Sequence, residues 1–455
     1  MLPAKIALAR TAGALSRRSG RGATSLPGKL LMRMEPHAIG RLAARLPRGS
    51  AVISATNGKT TTAAMVAAIL ERGGTRLVHN RAGANMAGGV ASALLRAARS
   101  GGIDGDAGLF EVDEFWLDSV VPELHPRALL LGNLFRDQLD RYGELETIAD
   151  RWAAAVAAAP DTRLVLNADD PLVADLGHDR AGGDHVTYFG VQDDGVALAG
   201  MAHASDSKHC RRCGAPYVYD AVYMGHLGRY HCPNGDARRP QPDVFATQIV
   251  LDGTRGARFE LHLGGEQGHV DLPLPGLYNV YNALGAAALT QVLGAGLQEI
   301  VAGLEATQAA FGRAETVAIG GRELAILLVK NPAGANEVLR TLALDDEELD
   351  VFAILNDRIA DGRDVSWIWD ADFEHLAGRV RRVTCSGTRA AELALRLKYA
   401  GVPAERLHVV PALERGLDAA LADGGGRLVA LPTYTAMLAL RELLVDRGAA
   451  EGSFA

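Results

Sequence analysis

The sequence predicts an α/β protein with more than one layered domain. Short apolar runs typical of buried parallel strands alternate with longer, alanine-rich segments typical of helices. Apolar residues make up 48% of the chain and aromatic residues only 5%, which suits sheets covered by helices of small residues. At 455 residues the chain is too long for one ordinary core. We expect a basic segment at residues 1–50, a central domain at residues 51–314 and a smaller, doubly wound, Rossmann-like domain at residues 315–455.

The overall charge and the cysteine content exclude several classes of protein. The net charge is −7, with 47 basic and 54 acidic residues, which argues against a protein that binds nucleic acid. Four cysteines, three of them clustered, indicate a reducing compartment and a metal site rather than a disulfide framework. No apolar run is long enough to span a bilayer, and no secretory signal is present. We therefore expect a cytoplasmic protein that makes at most peripheral contact with the inner face of the membrane.

The first residues are basic. Residues 1–34 contain no Asp or Glu but carry five arginines: Arg10, Arg17, Arg18, Arg21 and Arg33. This composition fits a transit peptide, a helix that lies on anionic lipid, or an ordinary surface helix followed by a flexible connection. We favour the surface helix and keep the membrane-surface helix as the alternative.

The central domain opens with a phosphate-binding pattern. Residues 54–62 read Ser-Ala-Thr-Asn-Gly-Lys-Thr-Thr-Thr, between a strand-like run at residues 51–53 and an apolar helical pattern. Backbone N–H groups at such a helix start attract phosphate, Lys59 can neutralise its oxygens, and the Thr60 hydroxyl can ligate Mg²⁺. The first glycine of the general P-loop pattern would fall at Ile53, so the match is partial, and a chance Gly-Lys-Thr is the alternative. The predicted nucleoside triphosphate site comprises Thr56, Asn57, Gly58, Lys59, Thr60 and Thr61.

Acidic residues follow the next strand-like run. Glu111, Asp113 and Glu114 come directly after Leu109 and Phe110. Carboxylates at the carboxyl end of a parallel strand beside a phosphate loop can hold Mg²⁺. A solvated acidic turn is the competing interpretation. The polar loop at residues 78–86 is predicted either to belong to the active site or to be a plain surface loop.

Residues 205–240 interrupt the α/β pattern with a zinc-ribbon-like insertion. Cys210 and Cys213 form a C-x-x-C turn, and Cys232 follows after a hairpin-length spacer. A second knuckle would need cysteine at position 235, where the chain has glycine. We expect a structural Zn²⁺ on these three thiolates, and a ribbon that folds without metal is the alternative. The candidates for the fourth ligand are His209, His226, His231, Asp236 and water.

The last domain carries polar loops after its predicted strands. Five strand-like runs alternate with helices, and Lys330-Asn331-Pro332 follows the first of them. A later loop at residues 361–370 contains Trp367 and Trp369 among aspartates. Exposed tryptophans and carboxylates on one loop suit a partner surface, although tryptophans folded inward behind a capped helix are the alternative. Cys385 has no obvious base beside it and is expected to be structural.

Three segments of the chain resemble Mur ligases. Residues 55–61 resemble the family loop Gly-Thr-Asn-Gly-Lys-Thr-Thr, with Ala55 in place of its first glycine. Residues 137–143 resemble Asp-His-Leu-Asp-Arg-x-Gly, with Gln138 in place of the histidine that binds metal. Residues 276–283 resemble Gly-x-His-Asn-x-x-Asn-Ala, with Tyr278 in place of the histidine.

The resemblance implies a Mur ligase-like central domain with a parallel sheet. It implies that ATP and Mg²⁺ are used to join a carboxylate with an amine through an acyl phosphate. By similarity, Glu111 ligates the metal, and Asn279 and Asn282 lie on the nucleotide side. Arg313, in a Gly-Arg hinge, reaches a phosphate; a salt bridge at the domain junction is its alternative role.

The chain also departs from the family. Residues 1–50 are too few for the separate nucleotide-sugar domain with which classical Mur ligases begin. Many Mur ligases carry a carbamoylated lysine soon after the second motif, but residues 143–166 contain no lysine, and Arg151 and Trp152 occupy that region. The second-metal arrangement of the family is therefore left open.

The combination of features narrows the resemblance to the MurT family, the synthetase subunits of lipid II isoglutaminyl synthase. Two motifs are the most specific, the Lys-Asn-Pro-Ala-Gly that starts at Lys330 and the Asp-Gly-Arg-Asp-Val-Ser-Trp-Ile-Trp-Asp of residues 361–370. The resemblance implies that ATP phosphorylates the α-carboxyl of D-glutamate in the lipid II stem peptide, and that ammonia then displaces phosphate to give D-isoglutamine. The alternatives are a Mur-type ligase that adds an amino acid directly and a nucleotide-dependent scaffold without catalysis.

A glutaminase partner follows from the same resemblance. The chain shows no recognisable glutaminase cysteine site of its own, which implies a separate GatD-type glutaminase subunit in a heterodimer. By similarity, an aspartate of the last domain completes the partner's Cys–His pair by orienting its histidine. We assign this role to Asp364, with Asp361 and Asp370 as the nearby competitors.

Overall fold

The computed structural model describes most of the chain. The described residues are 2–18, 25–80, 84–137, 145–180, 185–201, 205–307, 315–345, 347–422 and 427–450. Within these ranges no helix has both the length and the apolar character needed to cross a bilayer. The predicted boundary at residue 314 lies outside the described residues, and β-structure resumes at Glu315.

Helices and strands alternate through the first two thirds of the chain. Three helices come first: α1 (Leu2–Arg18), α2 (Leu26–Met34) and α3 (Ala38–Ala43). The elements that follow are β1 (Ser50–Ser54), α4 (Lys59–Arg72), β2 (Leu77–His79), α5 (Ala87–Ala97), β3 (Ala98–Arg99), β4 (Gly102–Ile103), β5 (Ala107–Glu111), α6 (Leu117–Leu124), β6 (Ala128–Leu131), α7 (Leu145–Ala157), β7 (Arg163–Asn167), α8 (Pro171–Ala174), β8 (Val186–Val191), β9 (Val218–Met224), β10 (Leu227–His231), β11 (Val244–Asp252), β12 (Gly256–Leu263), β13 (Glu266–Leu272), α9 (Leu277–Val292) and α10 (Leu297–Glu305).

A mixed sheet forms the centre of this part. Its described strands run in the order β13-β12-β11-β8-β7-β6-β1-β5-β2, and the seven from β11 to β2 are parallel. The apolar runs of the sequence predict this parallel sheet but not β12 and β13, which extend it by antiparallel pairing. Apolar residues of α4 and α9 pack on one face, and those of α5 and α7 pack on the other.

The sheet register brings the predicted site residues to one edge. Strand β1 lies between β5 and β6, with Ile53 opposite Glu111 and Ser54 opposite Leu131. Because all three strands are parallel, the loops that leave their carboxyl ends share that edge.

The basic N-terminal segment packs on the central domain. Helix α2 lies against α5 at Gly28, where a Cβ would stand 2.0 Å from the Gly88 carbonyl oxygen. The Arg10 guanidinium donates to the Leu95 carbonyl at 2.8 and 3.1 Å, near the end of α5. These contacts support the surface-helix interpretation, although Arg21 and the side chains of Arg17 and Arg18 lie outside the described part.

The β9–β10 hairpin belongs to the insertion and is held by a buried aspartate. The Asp169 carboxylate pairs with Arg239 at 2.5 Å and accepts hydrogen bonds from the Val191 N–H at 2.9 Å and the Tyr281 hydroxyl at 2.6 Å. Its backbone carbonyl accepts from the Gly228 N–H at 3.0 Å. One aspartate thus ties the insertion to β8 and α9, because each of its partners comes from a different element.

The last part of the chain forms the second predicted α/β unit. Its helices and strands are β14 (Glu315–Ile319), β15 (Arg322–Ile326), α11 (Pro332–Leu342), β16 (Leu349–Ile354), β17 (Val380–Ser386), α12 (Ala390–Tyr399), β18 (Leu407–Val409), α13 (Leu413–Leu421), β19 (Leu428–Pro432) and α14 (Tyr434–Asp446). The described strands pair in the order β14-β15-β19-β16-β17-β18, and all are parallel except the edge strand β14. The two apolar faces of this sheet are covered by separate helix layers, as a doubly wound fold requires.

Candidate nucleotide-binding and ligase site

The P-loop turns at Gly58 and enters α4 at Lys59. Gly58 has φ +87°, and a Cβ there would lie 2.0 Å from the Asn282 side-chain oxygen. Only glycine combines this left-handed backbone with such a close approach. Ala55, which replaces a family glycine, is not among the described residues with positive φ. Alanine is therefore accommodated at that position without backbone strain.

Substituting Gly58 with alanine is expected to weaken ATP binding at least about tenfold, because the new methyl group must displace Asn282 as well as strain the turn. Isothermal titration of ATP measures the change. Gly74→Ala is the matched control, since Gly74 also has positive φ (+79°) but has open space around its Cβ position. If both variants bind ATP like the parent chain, the approach of Asn282 does not shape the site.

Lys59 is buried beside a carboxylate. Its Nζ lies 2.7 Å from Glu114 Oε2 and also donates to the Ala55 carbonyl. Burial is the largest influence on the pKa of Lys59 and lowers it, but the carboxylates of Glu114, Asp113 and Asp137 together hold that pKa above its ordinary value. Burial likewise opposes ionisation of Glu114, yet Lys59 keeps the Glu114 pKa lowered. The lysine is thus charged and fixed at the turn where a phosphate would lie.

Thr60 and Glu111 form the candidate Mg²⁺ ligand pair. The Thr60 hydroxyl donates to Glu111 Oε2 at 2.9 Å. Asn80 fixes the backbone of Glu111 through two hydrogen bonds, accepting from its N–H at 2.9 Å and donating to its carbonyl at 2.8 Å. A hydroxyl and a carboxylate at a phosphate loop are the hard oxygen donors that Mg²⁺ prefers, so these residues fit the ion.

A second asparagine braces the loop from the neighbouring strand. Asn133 follows β6 and accepts a hydrogen bond from the Asn57 N–H at 2.9 Å, while its Nδ2 donates to the Asn57 carbonyl at 3.0 Å. The Asn133 carbonyl accepts from the Thr56 N–H at 2.9 Å. The sequence pattern gave no role for Asn133. Its side chain holds the P-loop backbone in the shape that the turn needs.

The two asparagines of α9 lie beside the P-loop. Asn282 accepts from the Thr62 hydroxyl at 3.3 Å and donates to the Asn279 side-chain oxygen at 3.0 Å. Asn279 in turn donates to the Pro275 carbonyl at 2.8 Å. The structure therefore brings Asn282, and Asn279 behind it, beside the phosphate loop.

The last domain reaches the same loop. Lys330 Nζ donates to the Thr56 carbonyl at 3.1 Å and pairs with Asp137. Asn331 and Asn57 exchange two side-chain hydrogen bonds, of 3.1 and 3.3 Å. The Lys-Asn-Pro motif is therefore part of the site, although the sequence placed it only on a loop after a strand.

These groups surround one cavity of about 400 Å³ between the two α/β units. All six predicted P-loop residues line it, together with Glu111, Asn279 and Asn282. The last domain contributes Lys330, Glu337 and Tyr434, among others. A space of this size suits a nucleotide together with the reacting end of a second substrate.

Other predicted positions lie elsewhere or outside the described residues. Arg313 and Gln138 fall in segments that the structure does not describe. Arg151, in the region of the family's carbamoylated lysine, pairs with Asp118 at 2.8 Å and donates to the Phe115 carbonyl at 2.7 Å. Arg151 is thus held by Asp118 and by the Phe115 backbone.

The three candidate aspartates of the last domain differ in their surroundings. Asp361 is buried and accepts hydrogen bonds from the N–H and the hydroxyl of Thr435. Asp370 is exposed and lies 3.8 Å from Arg136. Asp364 is exposed, and the hydrogen bond from the Ser366 N–H at 2.8 Å contributes most to lowering its pKa. Asp364 is therefore an ionised carboxylate that faces outward.

The insertion brings its three cysteines together. The sulfur atoms of Cys210, Cys213 and Cys232 all lie within 4.8 Å of one another. A tetrahedral Zn²⁺ with thiolates at about 2.3 Å needs sulfurs about 3.8 Å apart, so the cluster fits the ion. Asp236 lies 4.0 Å from the Cys232 sulfur, whereas His226 is buried against Asp170 at 3.3 Å.

Family models match both parts of the chain. Residues 53–235 match the Mur ligase middle domain, and residues 328–437 match the MurT ligase C-terminal domain.

Two curated relatives match nearly the whole chain, and both are named lipid II isoglutaminyl synthase (glutamine-hydrolyzing) subunit MurT. The protein from Streptococcus pneumoniae is 34% identical over 432 residues, which cover 94% of each chain. The protein from Staphylococcus aureus is 34% identical over 444 residues, which cover 96% of this chain and 97% of that relative.

The solved structures show the same fold. A pseudomurein peptide ligase type C from Methanothermus fervidus superposes with a TM-score of 0.67 at 21% identity, covering 90% of this chain and 80% of that one. Together with the relatives, this similarity confirms the predicted α/β architecture.

Proposed function

The chain belongs to the MurT family, and we propose that it is the ATP-dependent synthetase subunit of a lipid II isoglutaminyl synthase. In this reaction ATP phosphorylates the α-carboxyl of D-glutamate in the lipid II stem peptide, and ammonia converts the acyl phosphate to D-isoglutamine. One observation carries the proposal. Lys59, Thr60 and Glu111 of the central domain share a cavity with Lys330 of the region that matches the MurT model.

The chain's residues suit the phosphoryl transfer. A carboxylate is a poor electrophile until it is phosphorylated, and the reaction gathers negative charge at the transferred group. Lys59, kept charged by Glu114, faces that group from the P-loop, and Lys330 faces it from the last domain. Fixed cations in a partly closed cavity stabilise such charge without having to reorganise. Mg²⁺ held by Thr60 and Glu111 would add charge neutralisation at the phosphates.

The partner assignment rests on Asp364. We propose that a GatD-type glutaminase binds the last domain and that Asp364 orients the histidine of its Cys–His pair. An exposed, ionised carboxylate can serve a histidine of another chain, whereas Asp361 already accepts two hydrogen bonds within its own domain. Half-exposed Trp369 lies on the same loop, as a partner surface requires.

Co-purification with a glutaminase followed by an amidation assay tests the proposal. We expect the complex to amidate lipid-linked stem peptide with ATP and glutamine, and the chain alone to do so with ATP and ammonium. ATP consumption with a free amino acid and no partner would instead establish a Mur-type ligase that adds an amino acid. Nucleotide binding without turnover by the complex would establish a scaffold.

We also propose that Cys210, Cys213 and Cys232 hold a structural Zn²⁺. Metal analysis is expected to find about one zinc per chain, and a chelator is expected to lower the Tm, because the ion links the two halves of the insertion. Cys213→Ser should lose the zinc, since the exposed Cys213 can be changed without disturbing a core.

Cys385→Ala is the control for the zinc site. Burial raises the pKa of the Cys385 thiol to about 12, so this cysteine offers no thiolate at neutral pH. Its loss should leave the zinc content unchanged. A parent chain that contains no zinc and whose Tm does not respond to the chelator would contradict the metal assignment.

A further inference from the structure

A small cavity of about 60 Å³ lies between the Asp364 loop and the nucleotide cavity. Asp364, Ser366 and Trp367 are among the residues that line it. Asp137 and Lys330 line this cavity and the nucleotide cavity alike. The ion pair between them is thus a shared wall between the surface proposed for the glutaminase and the site where the acyl phosphate would form.

Only one of the two carboxylate oxygens of Asp137 has a hydrogen-bond partner among the residues that the structure describes. Its Oδ2 pairs with Lys330, whereas its Oδ1 is buried and has no hydrogen-bond partner among the residues that the structure describes. The side chain is 9% exposed. A buried carboxylate oxygen without a donor is unfavourable, so we expect a bound small molecule, either water or a substrate, to donate a hydrogen bond to it.

The position and size of the small cavity limit the bound molecule to a small hydrogen-bond donor. Ammonia donates hydrogen bonds, fits a space of 60 Å³, and must travel from the glutaminase to the acyl phosphate if the proposed function holds. We infer that Asp137 is the acceptor that receives ammonia at the junction of the two cavities and takes a proton from it during amide formation. This inference rests on the proposed function.

The step is balanced with the residues and substrates named. The nitrogen lone pair of ammonia attacks the acyl carbon, a C–N bond forms, and the bond from that carbon to the phosphate oxygen breaks. Phosphate leaves with the bonding electrons. Asp137 takes one N–H proton from the attacking nitrogen and passes it to the departing phosphate, so the products are the amide and hydrogen phosphate.

Because Lys330 belongs to the last domain, the position of the Asp137 carboxylate depends on the contact between the two domains. Lys330 holds Asp137 Oδ2 while donating to the Thr56 carbonyl at 3.1 Å. Ammonia is therefore received only where the P-loop and the last domain are in contact.

Asp137→Asn in the complete complex with the glutaminase tests the inference. Acyl phosphate formation is followed without ammonia, as positional isotope exchange in ATP, and amide formation is followed with ammonium chloride. We expect amide formation to fall about 100-fold, because one proton acceptor is lost, while the isotope exchange stays within about threefold. Asp372→Asn is the matched control; Asp372 lines a neighbouring cavity but not the shared wall, and both rates should stay near those of the parent.

Two outcomes would overturn the inference. If Asp137→Asn amidates as fast as the parent, Asp137 does not receive the nucleophile. If isotope exchange and amidation fall together, Asp137 serves the nucleotide half of the reaction or the fold instead. Failure of the proposed function would be seen separately, because the parent complex itself would then form no amide.

Discussion

Replacing Lys59 with alanine is expected to lower ATP-dependent amidation by about 10²–10³-fold, with either glutamine or ammonium as the nitrogen source. The lysine is the buried cation of the P-loop, and its charge is maintained by Glu114 at 2.7 Å. Both nitrogen sources depend on the same phosphoryl transfer, so both rates should fall equally. Phosphate release and amide formation, measured together on lipid-linked stem peptide, give the comparison.

The loss must be separated from a defect in folding. Lys59→Ala alone leaves Glu114 buried without its partner, which itself destabilises the protein. The double variant Lys59→Ala, Glu114→Gln removes both charges and relieves that defect. We expect the double variant to recover Tm but not activity, whereas Lys29→Ala, at an exposed lysine, should change neither. Recovery of amidation in the double variant would show that Lys59 serves only the fold.

Asp364→Asn is expected to abolish glutamine-driven amidation while leaving ammonium-driven amidation within about twofold. An aspartate that orients a catalytic histidine contributes about 10⁴-fold when it is changed to asparagine in a Ser-His-Asp triad, and a similar role here would give a large loss. Asp364 lines the small cavity but not the nucleotide cavity, so we expect the ATP chemistry to be unaffected. Glutamate release by the complex reports the glutaminase half directly.

The neighbouring carboxylate provides the comparison. Asp370 is also exposed and lies on the same loop, but it faces Arg136 at 3.8 Å. Asp370→Asn should keep glutaminase activity if Asp364 is the residue that meets the partner's histidine. Loss of glutamine-driven amidation in Asp370→Asn, with Asp364→Asn unaffected, would move the role to Asp370. Normal glutaminase activity in both variants would remove the assignment from this loop.

Local patterns predicted the parts of the site that one strand and its following loop can supply. The P-loop is contiguous in sequence, so its strand, turn and helix were all visible at residues 50–72. Glu111 was placed correctly at the edge of the sheet, because the carboxyl ends of parallel strands meet there. The family and the α/β fold were also predicted from sequence and are confirmed by the relatives.

The contacts that close the site come from residues far apart in sequence. Asn331 meets Asn57 across 274 residues, and Lys330 reaches the same loop. The hydrophobic periodicity of the sequence does not predict such a contact, because the contact depends on how two separately folded sheets lie against each other. Asn80 lies in the loop at residues 78–86, which was predicted to be either part of the active site or a plain surface loop, and its bonds to Glu111 were not predicted.

The antiparallel strands β12 and β13 were not predicted either. Their sequence alternates between buried and exposed residues, which is typical of a sheet with one covered face, but it does not say which sheet they join. Strand β12 pairs with β11 at residues 244–252. This pairing is a tertiary contact that the local sequence does not specify. Assignments such as Arg313 lie outside the described residues and stay predictions.

The central claim is that the α-carboxyl of the stem-peptide glutamate is phosphorylated by ATP before nitrogen is added. Substrate labelled with ¹⁸O in that carboxyl group tests it directly, with the released phosphate analysed by mass spectrometry after amidation by the complex. The account predicts that the released phosphate carries one carboxyl oxygen for each amide formed. Amide formation with unlabelled phosphate, or with the label in AMP, would contradict it.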